Sequence, residues 1–224
     1  MKLIKAACLA AALVFTAGTA SATQFTFSPI DNTNGESNPY DLNDLDHGYY
    51  YVWSINNSVS SALSAALASG QQIVSATLTY YNIWDWQKES GDNLATYLLE
   101  EPLTNAPAGG RWLSSNLWQK YDNSSPAAVP WSSQSALVGN WNDPNGGKST
   151  GFNLVYNFTP NLLSNLSAWV SDGDFGFGID PDCHYYNDRV EFTVVTAPVP
   201  EPGLLLLVGT GLLGLGFIRR KKLL

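Results

Sequence analysis

The segment IVSATLTYYNIWDW at residues 73–86 is the most regular stretch of the sequence. Apolar side chains recur at every second position, at Val74, Ala76, Leu78 and Tyr80, with Ser or Thr between them. A period of two residues places successive side chains on opposite faces and is the pattern of a β-strand. The segment therefore predicts a long strand, the clearest one in the sequence.

Residues 94–100 form the next predicted strand, after an acidic loop. Because the two strands follow each other in the chain, the sequence predicts a hairpin over residues 73–100, with a loop too long for a two-residue turn. Shorter strands with similar alternation are predicted at residues 23–28, 49–55, 111–113, 136–138, 151–158, 174–179 and 189–196.

Two short helices are also predicted. The first covers residues 58–69, where Ala, Ser and Leu recur at helical spacing, and it ends at Gly70. The second begins after Thr159-Pro160, an N-cap residue followed by a proline at the first helical position, and ends at Gly173. Many short strands with frequent turns predict a mostly β protein, an antiparallel β-sandwich with one or two short helices over its ends.

The N-terminus has the pattern of an export signal at residues 1–22. Two lysines precede an apolar run at residues 6–17, and an A-x-A site with Ala20 and Ala22 follows. We therefore expect signal peptidase to cleave before Thr23, and the β-sandwich domain to cover residues 23–197.

The C-terminal segment, residues 198–224, ends in a predicted membrane span. The run at residues 203–218 is apolar except for one threonine, and a helix of this length spans about 24 Å, slightly less than the roughly 30 Å hydrocarbon core. The basic cluster after it is Arg219, Arg220, Lys221 and Lys222. Positive charge favours the cytoplasmic side, so the preceding chain is expected across the membrane.

The order of Val199-Pro200-Glu201-Pro202, apolar helix and basic end resembles the PEP-CTERM sorting signal of Gram-negative bacterial envelope proteins. The resemblance implies that an exosortase-type enzyme recognises the tail and cleaves at or near the motif. It implies an inner-membrane-anchored precursor and a mature domain that is periplasmic or extracellular, associated with exopolysaccharide. The alternative is a plain C-terminal anchor that nothing processes. The string FGFGID at residues 175–180 also looks like jelly-roll domains often joined to this tail.

The composition of residues 23–197 restricts the partners. This part holds five basic and eighteen acidic residues, a net charge of −13, which would repel nucleic acid but suits divalent cations. Cys183 is its sole cysteine, so no internal disulfide forms. A zinc site is not predicted, since His47 and His184 complete no ligand set of usual spacing.

Acidic side chains are concentrated in a predicted loop at residues 180–188. Asp180, Asp182 and Asp188 are the predicted calcium ligands, completed by Asn187 or backbone carbonyls, because calcium takes six to eight oxygens from flexible loops. The alternative is a solvated acidic loop whose side chains cap turns. A weaker second calcium candidate combines Asp85, Glu89 and Asp92.

No nucleophile, zincin or P-loop motif is present, so the sequence predicts no enzyme and no catalytic residues. Aromatic faces stack on sugar rings, although large aromatics are more often buried in the core. The eight tryptophans are Trp53, Trp84, Trp86, Trp112, Trp118, Trp131, Trp141 and Trp169. We therefore predict an exported, non-enzymatic envelope protein, with a secreted carbohydrate-binding module that binds polysaccharide as the alternative.

Overall fold

The computed structural model describes residues 21–29, 44–88, 91–100, 102, 118–122 and 135–199. Its strands are β1 (Thr23–Phe27), β2 (Asp44–Leu45), β3 (Tyr49–Ile55), β4 (Gln71–Asp85), β5 (Leu94–Leu99), β6 (Trp118–Asp122), β7 (Ser135–Trp141), β8 (Phe152–Asn157), β9 (Phe175–Pro181), β10 (Tyr185–Tyr186) and β11 (Arg189–Pro198). The helices are α1 (Asn57–Ala68) and α2 (Pro160–Asp172), and a single 3-10 turn covers Lys148–Thr150.

Strand β4 is the centre of the first antiparallel sheet. Strand β4 pairs with β8 on one edge and with β10 and β11 on the other. Strand β10 also pairs with β2, and β11 also pairs with β1. Strands β10 and β11 follow the same register along β4, because Tyr186 lies opposite Trp84 and Arg189 lies opposite Tyr81. The long strand predicted from alternation therefore organises the sheet.

The second antiparallel sheet has the order β6-β3-β9-β5-β7. Its central strand β9 places Phe177 opposite Trp53 of β3 and Leu98 of β5. A mostly β protein with antiparallel sheets and two helices is thus confirmed. Strands β2, β6 and β10 were not predicted, and the predicted strand at residues 111–113 lies outside the described residues.

The predicted hairpin over residues 73–100 is wrong. Both strands exist, but β4 belongs to the first sheet and β5 to the second, where β5 pairs with β7 and β9. Both edges of β4 are already occupied by β8 and β11, so no edge is left for β5. The connection after β4 therefore crosses from one sheet to the other at the end of the fold.

The two sheets share one hydrophobic core. The rings of Phe177 in β9 and Phe192 in β11 meet edge to face with centroids 4.8 Å apart. The hydroxyl groups of Tyr80 in β4 and Thr96 in β5 form a buried hydrogen bond of 2.9 Å between the sheets. Apolar burial supplies the main driving force for this packing, and the hydrogen bond satisfies polar atoms within it.

Both helices pack against the same core with apolar side chains, among them Leu63 and Leu166. Thr159 caps α2 as predicted, because its hydroxyl accepts a hydrogen bond from the Leu162 N–H. Gly173 ends α2 in the left-handed region with φ 88°, which glycine adopts without steric cost.

In the part of the chain that the structure describes, no helix is long and apolar enough to cross a membrane. The predicted span at residues 203–218 lies outside that part, as do residues 1–20 of the predicted export signal.

Candidate metal sites

Three connections meet where β4 ends, and backbone hydrogen bonds hold them together. The Gly147 N–H donates to the Asp85 carbonyl at 2.6 Å, which ties the β7–β8 connection to β4. The Asp182 N–H donates to the Asn93 carbonyl at 2.8 Å, which ties the β9–β10 connection to the start of β5. Residues far apart in sequence therefore share one end of the molecule.

Two residues of the β7–β8 connection fix its position. Asp143 accepts the Asp85 N–H at 3.1 Å and the Asn145 N–H at 2.9 Å. Gly146 has φ 65°, and a Cβ there would lie 2.2 Å from the Lys88 backbone nitrogen. Only glycine allows this close approach in a left-handed conformation.

Asp85, Asp92 and Cys183 form the Asp85 cluster, in which one ligand atom from each residue lies within 4.8 Å of the others. Asp85 is 1% exposed and Cys183 is 5% exposed. Both carboxylate oxygens of Asp85 and the Oδ2 atom of Asp92 are buried and make no hydrogen bond of normal geometry. Buried polar atoms normally have partners, so these oxygens indicate a site for a further group.

Burial opposes ionisation of two groups in the Asp85 cluster, the Asp85 carboxyl and the Cys183 thiol. Burial raises the pKa of the Asp85 carboxyl, hydrogen bonds from the Cys183 thiol and the Gln87 backbone N–H lower it, and the charges of Asp92 and Asp143 raise it. Burial, followed by interaction with Asp85, raises the pKa of the Cys183 thiol to about 12. The free thiol is therefore protonated at neutral pH and is not an activated nucleophile.

Tyr185 adds another buried polar atom beside the Asp85 cluster. Tyr185 is fully buried at 0% exposure, and its hydroxyl makes no hydrogen bond of normal geometry. It lies directly opposite Asp85 in the β4–β10 pair, so the two side chains point to the same face of the sheet. Its pKa is raised first by burial and then by the nearby charge of Asp85.

A second group, the histidine cluster of Asp46, His47 and His184, lies nearer the surface. The Asp46 Oδ1 atom is 3.3 Å from His47 Nδ1 and 3.5 Å from His184 Nε2, and Asp44 Oδ1 is 3.5 Å from His184 Nδ1. The His47 side chain is 61% exposed. These contacts hold the side chains of the histidine cluster together near the surface.

The predicted calcium residues are distributed differently from the sequence prediction. Asp180 lies in β9, and β10 interrupts the predicted loop over residues 180–188, so that loop prediction is wrong at these positions. The exposed Asp188 follows β10, and its N–H donates to the Tyr81 carbonyl at 2.9 Å. The exposed Asp182 is close enough to Asp180 to add to burial in raising the pKa of Asp180 to about 6.

Within the described residues, Asp180, Asp182 and Asp188 do not form a group with ligand atoms within 4.8 Å of one another. Calcium binding by them is not tested and stays a prediction. Of the second calcium candidate, Asp85 and Asp92 lie close together, with ligand atoms within 4.8 Å. Glu89 lies outside the described residues. Sequence reasoning missed Cys183, which lies 98 positions after Asp85.

The tryptophan side chains that the structure describes contribute mostly to packing. Trp53 is 0% exposed and belongs to the hydrophobic core. The partly buried Trp141 and Trp169 pack against that core. Trp84 stacks on Tyr186 with ring centroids 4.4 Å apart. Trp86 is the exception, since it is 54% exposed. Trp112 and Trp131, and the side chain of Trp118, lie outside the description.

The last strand leads directly into the C-terminal segment, which matches a known sorting motif. Strand β11 ends at Pro198, and residues 198–222 match a family model described as the PEP-CTERM protein-sorting motif. The chain carries a PEP-CTERM sorting motif. The predicted resemblance is confirmed, and the motif marks an exported protein that an exosortase-type enzyme sorts from a precursor anchored at its C-terminus. No curated protein matches the chain at a significant level.

The individual sorting residues are not tested by the structure. Residues 200–224, including Pro200-Glu201-Pro202 and the four basic residues after the apolar run, lie outside the described part. At the other end, Thr23 begins β1 and lies opposite Thr196 of β11. Signal peptidase cleavage before Thr23 stays a prediction.

Proposed function

We propose that the chain is a non-enzymatic envelope protein whose jelly-roll-like β-sandwich is released from its membrane anchor by cleavage at or near Pro200-Glu201-Pro202. The observation that carries this proposal is the PEP-CTERM motif, which begins at Pro198, the last residue of β11. On this proposal the β-sandwich is the mature protein, and the tail is a sorting signal that cleavage removes.

The position of β11 supports release of a complete domain. Strand β11 pairs with β1 on one side and β4 on the other, so its place in the sheet depends on strands far upstream of the tail. The Val199 N–H makes a long contact of 3.5 Å with the Gly70 carbonyl. On this proposal the domain includes at least residue 199, two residues beyond the boundary expected from the sequence.

The proposed precursor crosses the inner membrane once near its C-terminus. The apolar run at residues 203–218 forms the span, and the basic residues 219–222 stay in the cytoplasm. The sandwich then folds on the opposite side, in the periplasm or outside the cell.

The chemistry of Cys183 and the histidines supports a non-enzymatic role. The Cys183 thiol is buried and has a raised pKa, which opposes thiolate formation. His184 is next to it in sequence, yet the imidazole lies beside Asp44 and Asp46 in the partly exposed histidine cluster. Each histidine thus has a carboxylate neighbour that explains its position without catalysis.

Intact mass spectrometry of the mature protein from a host with an exosortase tests the proposal. We expect a product that ends near Glu201, and we expect Glu201→Ala to retain the full tail. Glu191→Ala is the matched control, since it removes the same side chain outside the matched residues 198–222. A surface-exposed product that still ends at Leu224 would contradict processing.

A carbohydrate-binding module is the second candidate, because Trp86 exposes an aromatic ring to solvent. The full burial of Trp53 and the stacking of one face of Trp84 on Tyr186 favour the non-binding role. Affinity electrophoresis through polysaccharide gels distinguishes the two. Retardation that Trp86→Ala abolishes would support the binding module.

A further inference from the structure

We propose that Asp85, Asp92 and Cys183 bind one zinc ion, which links the two sheets at the end of the sandwich. This inference does not depend on processing of the tail. It assigns a structural metal to a domain whose sequence predicts no zinc site.

The first argument is the state of the Asp85 oxygens. Asp85 is 1% exposed, both of its oxygens make no hydrogen bond of normal geometry, and the cluster brings Asp92 and Cys183 within 4.8 Å. Burying a carboxylate without hydrogen bonds of normal geometry is costly, and coordination of a metal is one of the few ways to compensate it. Tyr185 lies opposite Asp85, and its buried hydroxyl likewise makes no hydrogen bond of normal geometry.

The second argument is that, among the described residues, no basic side chain is found paired with Asp85 or Asp92. The ion pairs found there join His47 and His184 to Asp44 and Asp46. One carboxylate oxygen of Asp85 lies within 4.8 Å of one of Asp92, and two negative charges this close repel each other. A divalent cation between them would replace this repulsion with attraction.

The donor atoms favour zinc over calcium. Zinc accepts carboxylate oxygen and cysteine sulfur in a four-coordinate shell, whereas calcium takes six to eight oxygens. Zinc–ligand bonds of about 2.0–2.3 Å place tetrahedral ligands roughly 3.3–3.8 Å apart, which small side-chain adjustments can reach from the observed cluster. The fourth position is left for water or the Tyr185 hydroxyl. On binding, Cys183 forms the Zn–S bond and its thiol proton passes to water.

The location explains what such an ion would do. Asp85 ends β4 in the first sheet, and Asp92 lies two residues before β5 in the second. Cys183 lies between β9 and β10, where the chain passes from the second sheet to the first. One ion would therefore connect three strand ends across both sheets. In an exported domain with one cysteine, it would supply the cross-link that a disulfide cannot.

The test uses the full chain in detergent with Cys8→Ala, so that Cys183 is the sole thiol. After chelation, zinc is titrated by calorimetry, and cobalt is added in parallel because a thiolate ligand gives a near-ultraviolet charge-transfer band. We expect one zinc per chain, a higher melting temperature and a thiolate–cobalt band. Cys183→Ser should abolish the band and weaken zinc binding by more than the roughly 10–100-fold typical of losing a second-shell partner.

Asp92→Asn is the second test variant, since Asp92 is only half-buried and its substitution is isosteric. It should weaken zinc binding while circular dichroism shows the same β content. His47→Gln is the matched control and should bind zinc as the parent does. Absence of zinc binding, or binding that is lost in His47→Gln and kept in Cys183→Ser, would overturn the proposal.

Discussion

The hydrogen bond between Tyr80 and Thr96 offers a sharp test of how the two sheets are joined. It connects β4 to β5 at 2.9 Å, and both residues are 0% exposed. Tyr80→Phe and Thr96→Val each remove one hydroxyl and leave the other buried without its partner. A buried unsatisfied polar group costs about 1–3 kcal/mol, so each single substitution should lower the free energy of unfolding by this amount.

The double variant is the informative one. With both hydroxyls replaced by apolar groups, no polar atom of the pair is left unsatisfied, and its cost should be clearly less than the sum of the single costs. We expect a coupling free energy of about 1–2 kcal/mol, within the range found for residues in direct contact. In a domain of this size, 1 kcal/mol shifts the melting temperature by roughly 2–4 °C.

Urea unfolding of a fragment spanning residues 23–199, followed by tryptophan fluorescence, measures these quantities. Tyr81→Phe is the matched control, because Tyr81 is the next residue of β4 and its hydroxyl donates to Glu191 in a partly exposed position at 3.1 Å. It should cost less than about 0.5 kcal/mol, as surface substitutions usually do. Additive costs for Tyr80→Phe and Thr96→Val would refute the direct inter-sheet bond.

Three further outcomes are expected. Leu166 lies on the fully buried face of α2, and Leu166→Ala should lower the free energy of unfolding in urea by about 2–5 kcal/mol. A smaller decrease than that caused by Ser167→Ala would show that α2 is not part of the core. The pKa of Asp180 is raised to about 6 in the folded protein, so folding favours the protonated carboxyl. The contribution of Asp180 to the free energy of unfolding is therefore fully present below about pH 4 and is lost as the pH rises through about 6. In chelator, Asp180→Asn should therefore gain at most about 3 kcal/mol at pH 7 and nothing at pH 3, and an equal effect at both would exclude this cause. If the predicted calcium ligands act together, millimolar calcium should raise the melting temperature by several degrees in the parent but not in Asp182→Asn, with magnesium as the control.

Local patterns predicted most elements well, because their signals lie within a few residues. Alternation located β4 and β11, and the Thr159-Pro160 start and Gly173 end located α2. The two-residue strands β2 and β10 escaped prediction, since each is too short to show a period. The hairpin error has another cause: neighbouring strands usually pair, but β4 already has a partner on each edge.

The sequence by itself determined most of the helices and strands, the acidic character of the domain and the sorting motif. The PEP-CTERM motif is read by an enzyme as a contiguous tail, so its residues are adjacent in the chain and recognisable without a fold. Only the tertiary structure decided which strands share a sheet and which acidic residues meet Cys183. Asp85 and Cys183 are 98 positions apart, and their contact depends on β10 pairing with the end of β4, a long-range interaction that no local pattern specifies.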